Sequence, residues 1–216
     1  MSSPLTDSGF PPIHHPYASA VYEWLAGQRS MQRMMNPLRE EVAGRASRRV
    51  LEVGAGSGRN FPYYSPERVE RVEAVEPDAA MLRYARKRLA QAHVPITLVQ
   101  ASAEALPFAE ASFEGAVATL VFCSVFDPQQ ALRELLRVLS PGGNLLLVEH
   151  VRACHRRAAR LQDLLVPLTT RLAGNCHWNR DTEHMVIESG FAIRSVRRLG
   201  TGIQPIIVLH ALRPEE

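Results

Sequence analysis

The chain is short of cysteine. It has three in 216 residues, at Cys123, Cys154 and Cys176, and none sits in a CxxC pair. So sparse and odd a set excludes a disulfide framework and fits free thiols in a reducing compartment. Aromatic residues make up only 6%. They are not interleaved with basic ones, which excludes an RNA-stacking module. No apolar run approaches the ~20 residues of a membrane-spanning helix. The first residues lack the basic-then-apolar pattern of a secretory leader. Neither charge dominates: the net charge is +3 and the pI about 9.0, too mild to argue for a polyanionic partner. Repeats and low-complexity tracts are also absent. These absences set the expectation of a cytoplasmic protein with no nucleic-acid partner. What the chain does have is 46% hydrophobic residues, ample for the core of one α/β domain with a modest accessory segment.

Val50-Leu51-Glu52-Val53 has the pattern of a buried strand and runs straight into Gly54-Ala55-Gly56-Ser57-Gly58. Glycine at alternate positions lets the backbone turn sharply and approach a ligand, because no Cβ intervenes. A second apolar run, Val72-Glu73-Ala74-Val75, ends on Glu76. That separation suits a βαβ unit whose second strand presents a carboxylate to ribose hydroxyls. The GxGxxG spacing of dinucleotide loops is not met, since Arg59 and Asn60 follow Gly58. Glu52 would repel a pyrophosphate and suit a cationic amino-acid moiety. The pattern therefore favours S-adenosylmethionine over NAD.

Residues 1–16 hold Pro4, Gly9, Pro11, Pro12 and Pro16 and read as a flexible arm. Residues 17–216 read as a single domain, with a helical lid at 17–45 and a substrate-lid insertion at 151–185. The first lid is expected to break near Asn36-Pro37 and to pack through Tyr17, Val21, Trp24 and Leu25. Strands are expected at 48–53, 71–76, 96–100, 114–121, 144–150, 191–199 and 204–212. Helices are expected just after the glycines and at 79–91, 128–139, 158–173 and 181–189, with Asp78 as a cap and Pro167 as a break or turn. The alternation predicts a mainly parallel sheet with helices on both faces and an antiparallel closing pair. Ligands of such sheets sit beyond the carboxyl ends of the strands.

Further motifs follow in order: Val75-Glu76-Pro77-Asp78-Ala79-Ala80-Met81, Ala103-Glu104-Ala105-Leu106-Pro107-Phe108, and Leu135-Leu136-Arg137-Val138-Leu139-Ser140-Pro141-Gly142-Gly143. With them, residues 48–150 resemble the class I S-adenosylmethionine-dependent methyltransferases. The resemblance implies a Rossmann-like fold of seven strands, S-adenosylmethionine as cofactor and S-adenosylhomocysteine as product. It implies that Glu52, Gly54, Ala55, Gly56 and Gly58 line the methionine and ribose. Glu76 would hold the ribose hydroxyls. Pro77, Met81, Ser102, Ala103 and Glu104 would surround the adenine, and Thr119 and Leu120 would close the cleft. Ser102 stands where the family often has an aspartate, so it would accept the adenine amino group without charge.

Thr119-Leu120-Val121-Phe122-Cys123-Ser124-Val125, Glu149-His150-Val151 and Gly174-Asn175-Cys176-His177-Trp178-Asn179-Arg180-Asp181-Thr182 are similar to animal methyltransferase-like proteins that methylate alkyl thiols. That similarity runs over roughly 48–213. The group's N-terminal membrane anchor has no counterpart in this sequence. The resemblance implies a small-molecule thiol as acceptor. A phospholipid amine or a quinone precursor is the alternative, and a non-catalytic cofactor-binding regulator is a third reading. His150 is the candidate catalytic base, with strand capping as the competing account. Tyr17, Tyr22, Cys123, Ser124, His150 and His177 are the candidate substrate contacts. Cys176, His177 and His184 are spaced unlike an ordinary ligand set, so no metal is expected. Arg152, His155, Arg156, Arg157 and Arg160 precede Leu161, Leu164, Leu165, Val166 and Leu168. They read as the solvated face of a helix whose apolar side covers the site, with peripheral contact to anionic lipid as the other reading. The oligomeric state is open.

Overall fold

Seven strands form one sheet: β1 (Arg48–Val53), β2 (Val69–Val75), β3 (Ile96–Val99), β4 (Phe113–Thr119), β5 (Leu139–His150), β6 (Ala192–Leu199) and β7 (Ile206–Leu212). The computed structural model of the chain describes residues 16–172 and 175–215, with side chains from 19 to 171 and from 175 to 215. The arm expected at 1–16 therefore lies almost wholly outside the described residues. The strand order is β3-β2-β1-β4-β5-β7-β6. β1 to β5 pair in parallel, and β7 runs antiparallel to both β5 and β6. This is the seven-stranded, Rossmann-like arrangement expected from the sequence.

The pattern follows from burial. Val50, Leu51, Glu52 and Val53 of β1 are all buried, as a strand covered on both faces requires. Two apolar clusters fill the two faces. One holds Leu51, Val53, Leu132, Leu135 and Leu147, the other Val50, Phe61, Tyr64, Val117 and Val148. The edge strand β6 is largely exposed and carries Arg194, Arg197 and Arg198, whose charge discourages further pairing.

The helices are α1 (Pro16–Ala26), α2 (Arg29–Ala43), α3 (Ala79–Arg88), α4 (Pro128–Val138), α5 (Arg156–Leu172) and α6 (Thr182–Glu188). Asp78, Asp127 and Asp181 cap α3, α4 and α6 by accepting from Ala80 N at 2.8 Å, Gln130 N at 2.9 Å and His184 N at 3.3 Å. Each satisfies an amide that the helix itself leaves free.

Four expectations are corrected. The first lid breaks at Gly27–Gln28, where Gly27 N bonds Glu23 O at 3.0 Å and ends α1; Pro37 lies inside α2. After the glycines there is only a 3₁₀ turn at Phe61–Tyr63, because Pro62 shortens the segment while Phe61 and Tyr64 plug the core. Pro167 lies inside α5, where Thr169 and Thr170 donate to Val166 O at 3.1 and 2.9 Å. The apolar stripe of α1 does not pack in the core: Val21, Trp24 and Leu25 are 56%, 65% and 47% exposed. Polar contacts hold α1 instead. Ser19 donates to Asp78, and Glu23 pairs with Arg59 at 2.8 Å and with Arg88.

Candidate active site

The order of the sheet reverses at β1, which has β2 on one side and β4 on the other. The glycine turn leaves β1 at that point. Gly54, Gly56 and Gly58 have φ of +62°, +55° and +78°, a region L side chains avoid. Their surroundings divide their roles. A Cβ on Gly54 would lie 2.5 Å from Val121 Cγ2, and one on Gly58 would lie 2.4 Å from Phe61 Cε2. On Gly56 it would meet nothing nearer than Gly54 O at 4.0 Å. Gly54 and Gly58 thus permit packing, and Gly56 opens onto the cleft. Gly54→Ala is expected to destabilise the fold by about 1–3 kcal/mol through overpacking and strain. Val121→Ala should restore part of that loss. Urea unfolding of the single and double variants checks it, and no recovery in the double variant would remove the contact as the cause.

The cleft is lined by Tyr22, Arg39, Glu52, Gly54, Ala55, Gly56, Ser57, Arg59, Asn60 and Thr119. Glu52 is 1% exposed. Its carboxylate accepts from Asn60 Nδ2 at 3.1 Å and from Tyr64 OH at 2.7 Å, and burial pushes its pKa up to about 7. Asn60 also donates to Thr119 Oγ1 at 3.1 Å and accepts from Arg39 Nη1 at 2.9 Å. Glu52 therefore anchors the turn through the protein, rather than presenting a free charge as the sequence suggested. Arg39, Arg59, Ser57 and Asn60 were missed as cleft residues. Arg39 reaches the site from α2 through tertiary packing, which no local spacing announces.

Glu76 follows β2. Its Oε2 accepts from Gly56 N at 2.8 Å and its Oε1 from Asp78 N at 2.9 Å. A carboxylate has about four acceptor positions, so two remain for a ligand's hydroxyls. This free capacity, beside the opening at Gly56, is what an adenosine cofactor needs. Burial raises the Glu76 pKa to about 7, against the pull of the Asp78 and Gly56 amides. Hydroxyl binding favours the ionised form. Affinity for the cofactor is therefore expected to rise about tenfold from pH 6 to pH 8. Isothermal titration at both values, with Glu76→Gln flattening the response, checks this. For folding alone the sign is opposite: the raised carboxyl contributes most below its unfolded value and loses that contribution as pH rises through about 7.

Pro77 sits on the β2–α3 connection and Met81 in the first turn of α3, and both are half-buried. Ser102 donates to Glu104, while Glu104 accepts from Phe126 N at 2.9 Å. The Ser102 oxygen keeps acceptor capacity. Ala103 is buried. Leu120 takes φ +59° and donates its amide to Val148 O at 2.8 Å.

The loop after β4 is wired from β5 and from the segment before α6. Glu149, fully buried, accepts from Val121 N at 2.6 Å, Phe122 N at 2.9 Å and Cys123 N at 3.3 Å. Burial holds its pKa well above the usual range. Arg180 donates to the carbonyls of Phe122 and Val125, His177 N donates to Cys123 O at 2.6 Å, and Asn175 Nδ2 to Ser124 O at 2.8 Å. His150 is half-buried, and its Nδ1 is buried without a hydrogen-bond partner. The Cys123 thiol is pushed up by the neighbouring Cys176 sulfur and by burial. His177 turns to Asn175 Oδ1 at 3.2 Å, and His184 pairs with Glu188 at 3.0 Å on the surface. Tyr22 lines the cleft; the side chain of Tyr17 lies outside the described residues.

The basic run behaves differently from expectation. Arg152 pairs with Asp163 at 2.7 Å. Gln162 of α5 is fully buried and bonds Ala153 N, Val151 O and Trp178 O at 2.7, 3.1 and 3.1 Å. Leu161, Leu164 and Leu168 are 41%, 75% and 55% exposed, so these leucines point outward rather than over the site. α5 is latched by polar contacts and leaves part of its apolar side to solvent. No helix among the described residues is long and apolar enough to cross a membrane.

The methyltransferase domain family model matches residues 51–147. The chain is 34% identical to thiol S-methyltransferase TMT1B of Rattus norvegicus over 137 residues, covering 62% of this chain and 55% of that protein. It is 31% identical to the Homo sapiens protein of that name over 177 residues, covering 78% and 71%. Ubiquinone/menaquinone biosynthesis C-methyltransferase UbiE of Pseudomonas savastanoi is 28% identical over 204 residues, covering 83% and 78%. The chain thus spans little more than half of the rat relative. Among solved structures, a geranyl diphosphate methyltransferase in complex with GPP and sinefungin matches with a TM-score of 0.64 at 15% identity, covering 85% of this chain and 80% of that one. That likeness is one of fold.

Proposed function

The chain belongs to the class I S-adenosylmethionine-dependent methyltransferases, and from that premise we propose that it methylates the sulfur of a small-molecule thiol. The bound cofactor supplies an activated methyl carbon, so the protein's task is to align and desolvate the acceptor. In this reading Glu76 holds the ribose hydroxyls and Gly56 admits the ligand to the backbone. Arg39 and Arg59 offer positive charge to the methionine carboxylate. Pro77, Met81, Ser102, Ala103 and Glu104 flank the adenine. Residues 17–45 and 151–185 form the lids, and Tyr22, Cys123, Ser124, His150 and His177 face the acceptor.

One observation carries the thiol reading. The buried carboxylates of the site, Glu52, Glu76, Glu104 and Glu149, are all engaged with amides, hydroxyls or a side-chain amide. None of these carboxylates stands free as a base, which leaves that role to His150. A phenol or alcohol needs a base, whereas a thiol ionises near neutral pH with little help. The thiol S-methyltransferase relatives point the same way. The test is transfer from labelled S-adenosylmethionine to a panel of thiols, phenols, amines and phospholipids. Selective thiol labelling, rising with pH as the acceptor ionises, is expected. Silence on every thiol alongside a labelled phenol or lipid would overturn it.

A second reading is methylation of a quinone precursor or phospholipid amine at a membrane surface. The UbiE relative supports it, as do exposed Leu164 and Leu168 beside Arg156, Arg157 and Arg160. Co-sedimentation with anionic vesicles that fades with salt would favour it. Tight cofactor binding without turnover on any acceptor would leave the non-catalytic reading.

A further inference from the structure

We propose that Cys123, His150 and Cys176 bind a zinc-class divalent cation and leave one coordination position open beside the cofactor cleft. The three come from separate places: the loop after β4, the end of β5 and the segment before α6. Their ligand atoms nevertheless all lie within 4.8 Å of one another. A tetrahedral cation with Zn–S of ~2.3 Å and Zn–N of ~2.0 Å would draw such atoms to about 3.5–3.8 Å apart, a contraction that small side-chain rotations supply. Two thiolates and an imidazole are the soft donors this class of cation selects. Two thiolates also cancel its charge, so the filled site adds no net charge to a buried position.

His150 adds an independent pointer. Its ring hydrogen-bonds the Cys123 thiol, and its Nδ1 is buried with no hydrogen-bond partner, an omission that costs about 1–3 kcal/mol. The scaffold is fixed as metal sites require. Cys123 is held by Glu149 and by His177 N at 2.6 Å, and Arg180 clamps the carbonyls on either side of it. The sequence weighed Cys176 with His177 and His184. The fold sends those two histidines elsewhere and brings in Cys123 and His150.

Three protein ligands leave a fourth position, the mark of a site that takes a further ligand. The cluster adjoins the cleft: Cys123 follows two residues after Val121, which packs on Gly54 of the cofactor turn. A small thiol suits the fourth position, and this part rests on the thiol reading. On entry it loses its proton to solvent. Its sulfur then forms the new bond to the methyl carbon as the sulfonium carbon–sulfur bond breaks.

The test is a Co²⁺ titration of the full chain, reduced with a phosphine and freed of metal. One ion per chain is expected, with thiolate charge-transfer absorption, tetrahedral visible bands and displacement by Zn²⁺. Cys176→Ser, at a half-buried position, should weaken binding at least tenfold. It is the safer variant because Cys123 is fully buried and its replacement risks misfolding. Cys154→Ser, at an exposed position, should leave the spectrum unchanged. Adding a short alkyl thiol without cofactor should shift the visible bands; an unchanged spectrum would overturn the open position. Absence of Co²⁺ binding, or a Cys123–Cys176 disulfide in place of two free thiols, would overturn the site. None of these readouts uses methyl transfer. A chain that binds Co²⁺ and thiol but methylates no thiol would refute the thiol reading and leave the metal site standing.

Discussion

Glu76→Ala lowers affinity for S-adenosylmethionine about a hundredfold or more and leaves the fold intact. The carboxylate has two acceptor positions left after bonding Gly56 N and Asp78 N. Two charge-assisted hydrogen bonds to hydroxyls are worth about 3 kcal/mol together, or a factor of about 100. Glu76 is 8% exposed and holds the Gly56 and Asp78 amides, so its truncation also costs about 1–3 kcal/mol of stability, within the margin of a folded domain. Glu76→Gln keeps one acceptor oxygen and should fall about 10- to 30-fold. Titration calorimetry gives the affinities, and a thermal melt of each variant reports the fold. Affinity within threefold of the native chain for Glu76→Ala would remove Glu76 from the cofactor site. An accompanying loss of the folding transition would assign it to the turn alone.

The parts of this protein that were legible in the sequence are those where local chemistry and tertiary structure agree. Val50 to Gly58 reads as strand and turn because burial on both faces and positive φ leave few other residue types there. Asp78 announces the helix it caps. What was illegible depends on partners distant in the chain. Glu52 reads as a free charge until Asn60 and Tyr64 are seen to hold it. The stripe on α1 reads as core because its spacing is helical, yet Trp24 is 65% exposed; spacing tells which residues share a face and says nothing of what that face meets. Arg39 and the grouping of Cys123, His150 and Cys176 have no signature, since their elements lie far apart in sequence.

Glu149→Ala destabilises the chain by about 3–5 kcal/mol, a large share of the ~5–15 kcal/mol that holds a domain together. The side chain is fully buried and takes three backbone amides in succession, Val121, Phe122 and Cys123. Truncation leaves these donors buried without acceptors, at about 1–3 kcal/mol each, partly offset by relief of a desolvated carboxyl. Glu149→Gln separates the two contributions. Its carbonyl oxygen can still serve Val121 N and Phe122 N, while its amino group faces Cys123 N with no acceptor. A loss of about 1–2 kcal/mol is expected for it. Urea midpoints at constant m report both values, and a loss under 1 kcal/mol for the alanine variant would show that water or a shifted loop satisfies the amides. The effect should reach function through one contact. Val121 packs on Gly54, so a loop freed from Glu149 also frees one wall of the cofactor turn. At temperatures where Glu149→Ala stays folded, KM for the cofactor and for the acceptor should therefore rise together.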